Sequence, residues 1–300
     1  MKKKTYLIAL MAMALTLGSC SDNENGIGGE TSKYITVSTS IGNMTRVATD
    51  ANGGQTFEEG DEISVYAWTG APTVAPETRE RVVNNAINKL TNGAWVATPQ
   101  MLWKNNRDKH YFIGVYPTAA ISDLSAGEYA FDETKQTESD LLVAVNPDGL
   151  SYSADAQQTV PLTFTHVMAK LAVNLTYKNQ WGGIPTVEKV VVGNAAKEAT
   201  INYLTKVVTP STTAKEDFSL PEITENTKYV SVIIPQEEVK QLTIVIGGKN
   251  FVYDNGTPFK LESGKITTVN LEVGRDEIKL GDVKITDWEN GSTFSGEALN

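Results

Sequence analysis

Apolar and polar positions alternate with a period of two along most of this chain. Ile35, Val37, Thr39 and Ile41 fall on one side of a short segment, and Ile63, Val65 and Ala67 follow the turn signal Glu59-Gly60-Asp61. Tyr111 to Tyr116 is a nearly continuous apolar run stopped by Pro117. Leu141 to Val145 is another, ended by Asn146-Pro147-Asp148-Gly149. The pattern predicts further strands at Leu162–Phe164, Ala169–Tyr177, Glu188–Val192, Lys228–Ile234, Leu242–Ile246 and Phe251–Tyr253. Lys265–Val273, Ile278–Leu280 and Val283–Ile285 close the series. Each run is short, rich in β-branched or aromatic residues, and bounded by Gly, Pro, Asn or Asp. Many short strands between turn signals predict an all-β protein of sandwiches or barrels. Thr78 to Leu90 carries helical spacing at Val82, Val83, Ala86, Ile87 and Leu90, and reads equally as a strand and loop.

The alternation fails at the start, where a different pattern holds. Lys2, Lys3 and Lys4 precede an apolar run from Tyr6 to Leu17, then Gly18-Ser19-Cys20. A basic region, a short apolar region and small residues before a cut make a secretory signal. The run is shorter than the roughly 20 apolar residues that span a bilayer. Leu17-Gly18-Ser19-Cys20 resembles the lipobox of bacterial lipoproteins. That resemblance implies cleavage before Cys20 and acylation of its thiol with fatty chains such as palmitate. Two or three chains make a stable anchor where one holds only marginally. Asp22 to Thr31 is polar but for Ile27 and is expected to be a flexible tether. Asp22 and Glu24 also resemble a surface-export signal, with a plain solvated linker as the other reading.

Composition narrows the chemistry. Cys20 is the one cysteine, so the mature chain has no disulfide, zinc-thiolate site or cysteine nucleophile. The precursor has 26 basic and 36 acidic residues; removing the three leading lysines leaves 23 against 36, a net charge of −13. An acidic surface without a basic, aromatic-interleaved patch argues against nucleic-acid partners. His110 and His166 form no HExxH or HxH pair and read as packing or hydrogen-bonding residues. No GxSxG elbow, P-loop or GxGxxG is present, so no catalytic residue, metal or cofactor is assigned and an enzyme is not expected. Trp68, Trp95, Trp103, Trp181 and Trp288 are read as core, with a sugar platform as the alternative.

Several stretches together resemble the fimbrillin family of type V pili, in the fimbrillin-A-associated group. They are Thr45-Arg46, Phe57-Glu58-Glu59-Gly60-Asp61-Glu62-Ile63, Trp103 followed by Tyr111-Phe112 and Tyr116-Pro117, and Phe164 to Leu171. Gly264-Lys265 and Ile285-Thr286-Asp287-Trp288 complete the set. The resemblance implies two transthyretin-like β-sandwich domains in tandem. With the signal peptide at 1–19 and the tether at 20–32, they are expected at 33–165 and 166–300. It also implies an outer-membrane lipoprotein that is cut by an arginine-specific surface protease between Arg46 and Val47. The released strand (Ile35, Val37, Thr39, Ile41) would vacate a groove for a strand of another fimbrial subunit. Ile278, Leu280, Val283, Ile285 and Trp288 are the candidate donor, or else an ordinary final strand. The subunit's place as shaft, tip or anchor stays open. A monomeric surface lipoprotein that binds a glycan or host ligand is the alternative.

Overall fold

The computed structural model describes residues 33–42, 56–153, 158–254 and 256–288. The strands in the first half are β1 (Thr36–Ile41), β2 (Glu62–Thr69), β3 (Val83–Thr91), β4 (Ala94–Thr98), β5 (His110–Tyr116), β6 (Gly127–Ala130), β7 (Leu142–Leu150) and β8 (Thr159–His166). Then come β9 (Ala169–Tyr177), β10 (Val187–Ala196), β11 (Glu198–Asn202), β12 (Val207–Pro210), β13 (Lys215–Leu220) and β14 (Glu222–Thr224). The last are β15 (Lys228–Ile233), β16 (Gln241–Ile246), β17 (Lys249–Asp254), β18 (Lys265–Val273) and β19 (Ile278–Asp287). One 3-10 turn, Thr78–Glu80, is the sole helical element among the described residues. The chain is all-β.

Seven strands form one sheet in the order β1-β8-β7-β5-β2-β3-β4. Its central strands bury both faces. Val65 and Phe112 point into a core shared with Ile35, Val37, Val160, Leu162 and Phe164. Tyr66, Trp68, Ile113 and Val115 point the other way, into a larger core with Leu171, Val190, Leu242 and Val269. The sheet curls until its two ends meet at β1. Past β4 the chain returns, so that Ile35 N donates to Met101 O at 2.9 Å and Trp103 N to Lys33 O at 3.2 Å.

From β9 onward a four-stranded sheet, β13-β10-β16-β17, faces a five-stranded sheet, β14-β15-β9-β18-β19, across the larger core. The expected boundary between Thr165 and His166 falls inside β8, just before its last residue. Two features cross it. The larger core spans both halves, and β6 joins β11 and β12 in a three-stranded sheet.

Bulges explain where the alternation misleads. Thr78 to Leu90 holds the 3-10 turn and β3 rather than a longer helix. Asn85 has φ +55° beside a register shift against β2. The extra residue puts Val83 and Ala86 on one face three positions apart, which mimics a helical step. The Asn146-Pro147-Asp148-Gly149 signal does not end its strand either; β7 runs on to Leu150. Its pairing with β5 shifts register between His110 and Phe112, so Pro147 needs no ladder hydrogen bond there. Gly149 has φ +66°, and a Cβ on it would lie 2.8 Å from the Tyr111 ring.

Candidate functional site

Two strand edges bear on how this molecule could join a copy of itself. The first is β1. It runs parallel to β8, with Thr36 opposite Thr159 and Ile41 opposite Phe164. Ile35 and Val37 are 3% and 6% exposed, while Thr39 and Ile41 are half-buried. Ser38 and Ser40 face solvent, as the period of two requires. Trp95 Nε1 donates to Thr39 Oγ1 at 3.0 Å, and Ser40 Oγ donates to Thr163 Oγ1 at 3.2 Å. Phe57 caps the end of this core, packed edge-on against Trp95, Tyr116 and Phe164 at centroid distances of 5.1–5.3 Å.

On its other side β1 meets the backbone near Tyr34 and Leu102 and the Trp95 side chain. Taking β1 away bares the β8 edge and opens a slot walled by Val160, Leu162, Phe164, Met101 and Trp103. Around the slot the polar groups are quiet. His110 Nε2 accepts from Lys104 N at 3.0 Å, and burial lowers the pKa of that histidine, which keeps the ring neutral. Burial first, and Asp61 next, raise the pKa of the Tyr116 hydroxyl.

The second edge is β19, paired antiparallel with β18 alone. Opposite pairs are Val273 with Ile278, Leu271 with Leu280, Val269 with Val283 and Thr267 with Ile285. Directly opposed residues share a face, so the four apolar side chains of β19 lie on the core side of the sheet. The β18 residues of that face are buried. Those of β19 are not: Leu280 and Val283 are each 38% exposed, and Ile285 is 40% exposed. The facing sheet ends at β17, which covers them only in part. The register shift between Val269 and Leu271 makes one strand of what the alternation divides into Ile278–Leu280 and Val283–Ile285.

Trp288 differs from the other donor candidates. It lies one residue past β19 and is 3% exposed. Its ring stacks on the His166 imidazole, with centroids 4.0 Å apart and planes 7° apart. His166 Nδ1 meets Asp140 Oδ1 at 2.8 Å, and Lys170 Nζ lies 4.0 Å from the centroid of the Trp288 ring. Burial lowers the pKa of Lys170, against an upward pull from Asp140.

Cys20, Arg46 and Val47 lie outside the described residues. Among the described residues no group of acidic, histidine or cysteine side chains is arranged to hold a metal ion. No helix there is long and apolar enough to cross a membrane. What sequence reasoning missed is the seat of β1. Its parallel partner β8 and its second flank at Met101–Trp103 carry no local signal of that pairing.

A family model described as fimbrillin-like matches residues 45–288. No curated protein matches the chain. Among solved structures, a candidate cell adhesion protein from Bacteroides uniformis is similar at 18% identity and TM-score 0.64, covering 85% of this chain and 98% of that one. A fimbrial protein from Bacteroides vulgatus is similar at 12% identity and TM-score 0.52, covering 84% of this chain and 99% of the other. The tip fimbrial protein Mfa3 from Porphyromonas gingivalis, truncated at its C-terminus, is similar at 11% identity and TM-score 0.51, over 77% of this chain and 95% of that one. At these identities the likeness is one of fold.

Proposed function

Because the chain belongs to the fimbrillin-like family, we propose that it is a structural subunit, shaft or tip, of an adhesive cell-surface fimbria, and that it polymerises by exchange of strands. The protein reaches the outer membrane as a lipoprotein anchored through Cys20. An arginine-specific surface protease cuts between Arg46 and Val47 and frees β1. The β19 strand of a neighbouring copy then enters the vacated slot. Each joint leaves one subunit's own β19 available, so the contact propagates head to tail instead of closing.

One observation carries this reading. The Ile278, Leu280, Val283 and Ile285 side chains line one face of an edge strand; Ile278 packs against the larger core, while Leu280, Val283 and Ile285 stay partly exposed in their own subunit. A two-sided apolar slot covers them better than their present edge does. Filling it restores the backbone pairs of β8 and buries the alternating side chains, the two terms that drive strand addition.

Arg46→Ala and the natural protein, each treated with an arginine-specific protease, test the reading. The natural protein is expected to lose its first strand and form a ladder of oligomers that survives heating in detergent. Arg46→Ala is expected to stay intact and monomeric. A cut natural protein that remains monomeric and instead binds a polysaccharide would overturn it. Ending the chain before Ile278 separates the two roles: a shaft subunit stops extending, while a tip still attaches through its slot.

A further inference from the structure

The way β19 is held at home is unusual. Nine of its ten residues are exposed, so side-chain burial contributes little to keeping it there. Ion pairs at its ends join Lys178 to Glu277 and Lys265 to Asp287, but both carboxylates are half exposed. Pairs that reach water add little. Ile278 packs at one end of the strand and Asn270 Nδ2 donates to Asp282 Oδ1 at 2.6 Å near its middle; beyond these stand the ladder with β18 and one fully buried side chain, Trp288, just past the strand's last residue.

The receptacle for Trp288 is assembled from separate parts of the fold. His166 is the last residue of β8, Lys170 lies near the start of β9, and Asp140 precedes β7. The His166 side chain is 3% exposed and clamped by Asp140, which fixes the plane on which the indole lies. Trp288 N donates to Gly264 O at 2.9 Å, and Gly264 N donates to Met168 O at 2.8 Å. Gly264 has φ +67°, and a Cβ there would sit 3.1 Å from His166 O. A side chain there would meet both the strained φ and the close His166 carbonyl, which favours glycine at this turn. The same β8 that ends in His166 carries β1 along its edge.

We propose that Trp288, stacked on His166 at the end of β8, is the catch that retains β19 on its own subunit and sets how readily the strand leaves for a neighbour. The role in assembly rests on the fimbrial reading above; the retention of β19 does not. Opening that aromatic contact leaves the strand held mainly by its ladder with β18, which can then fray from its C-terminal end. The catch is seated on the strand that also receives β1, so strand release and the receiving slot share one element.

Hydrogen exchange on the full, uncut chain tests the catch directly, by comparing the natural protein with Trp288→Ala, Trp288→Phe and His166→Ala. Exchange at amides of 278–287 is expected to quicken at least about tenfold in Trp288→Ala and His166→Ala, and by less in Trp288→Phe, while amides of β9 and β15 stay within about twofold, the signature of a local opening. Ile285→Ala, which alters an exposed side chain of the same strand, is expected to leave the pattern unchanged. Unchanged exchange at 278–287 in Trp288→Ala overturns the catch, and so does a uniform rise over every strand. After protease treatment, Trp288→Ala is expected to assemble faster than the natural protein. Local quickening with no assembly in either protein upholds the catch and defeats the fimbrial reading.

Discussion

Threonine at both Leu280 and Ile285 is expected to leave monomer stability nearly unchanged and to weaken subunit joining by about one to two powers of ten. The asymmetry follows from where these side chains sit before and after assembly. In the free subunit they are 38% and 40% exposed, on an edge that the facing sheet covers only in part. Substitutions at such positions shift stability by about 0.5 kcal/mol or less. Threonine suits a strand, so the backbone ladder with β18 keeps its preference. In the joined state the same side chains fill an apolar slot. Full burial of an exposed leucine or isoleucine contributes about 1.5–3 kcal/mol; about two-fifths of each residue is still exposed at home, so joining gains about 1–2.5 kcal/mol from the two, and each 1.4 kcal/mol is about a factor of ten in dissociation constant.

Two measurements check this. The thermal midpoint of the uncut double variant should match that of the natural protein. The oligomer ladder of the cut variant should fall apart at a lower temperature or fail to form. Threonine at Lys279 and Lys284, which alternate with the apolar positions and point to the opposite face, serves as the control and should change neither. An unaltered ladder in the double variant would mean that this face of β19 is not what enters the neighbour.

How far the sequence anticipates the structure depends on the regularity of each strand. Where alternation is unbroken, as in Ala169–Tyr177 or Lys265–Val273, the pattern and the observed strand coincide. Where a bulge inserts a residue, periodicity points elsewhere. The step at Asn85 imitates a helix, and the shift beside Asn270 splits β19 in two. The short strands β4, β6, β11, β12, β13 and β14 lie outside the predicted runs, because they bury two side chains at most and so carry few apolar marks. Long-range pairing has no local trace at all. Thr36 meets Thr159 across most of the first half, and no local turn links them. The apolar face of β19 is legible as composition, yet its exposure is set by where the opposing sheet stops at β17. Trp288 is visible as a motif residue, while its stack on His166 is a property of the folded chain. His166 itself, read from sequence as a packing or hydrogen-bonding residue, does both.

The strongest test of strand release compares two substitutions on the two strands of one ladder. Val37 of β1 lies opposite Val160 of β8, and Leu162 lies two residues further along β8. All three are buried, at 6%, 0% and 1% exposure. Val37→Asp puts a carboxylate among apolar neighbours, which costs several kcal/mol. A loss of about 4 kcal/mol lowers the midpoint of the uncut protein by about 10 °C in a chain of this size. Leu162→Ala costs a similar amount, about 2–5 kcal/mol, through the lost methyl groups and the cavity they leave. In the uncut chain the two variants therefore look alike. They part after cleavage. A released β1 takes its aspartate with it, so polymers of Val37→Asp should be as heat-resistant as natural ones. Leu162 stays in the wall of the slot, and polymers of Leu162→Ala should melt early. If Val37→Asp weakens the polymer as much as it weakens the uncut subunit, β1 never left, and the slot was never vacant for a neighbour's strand.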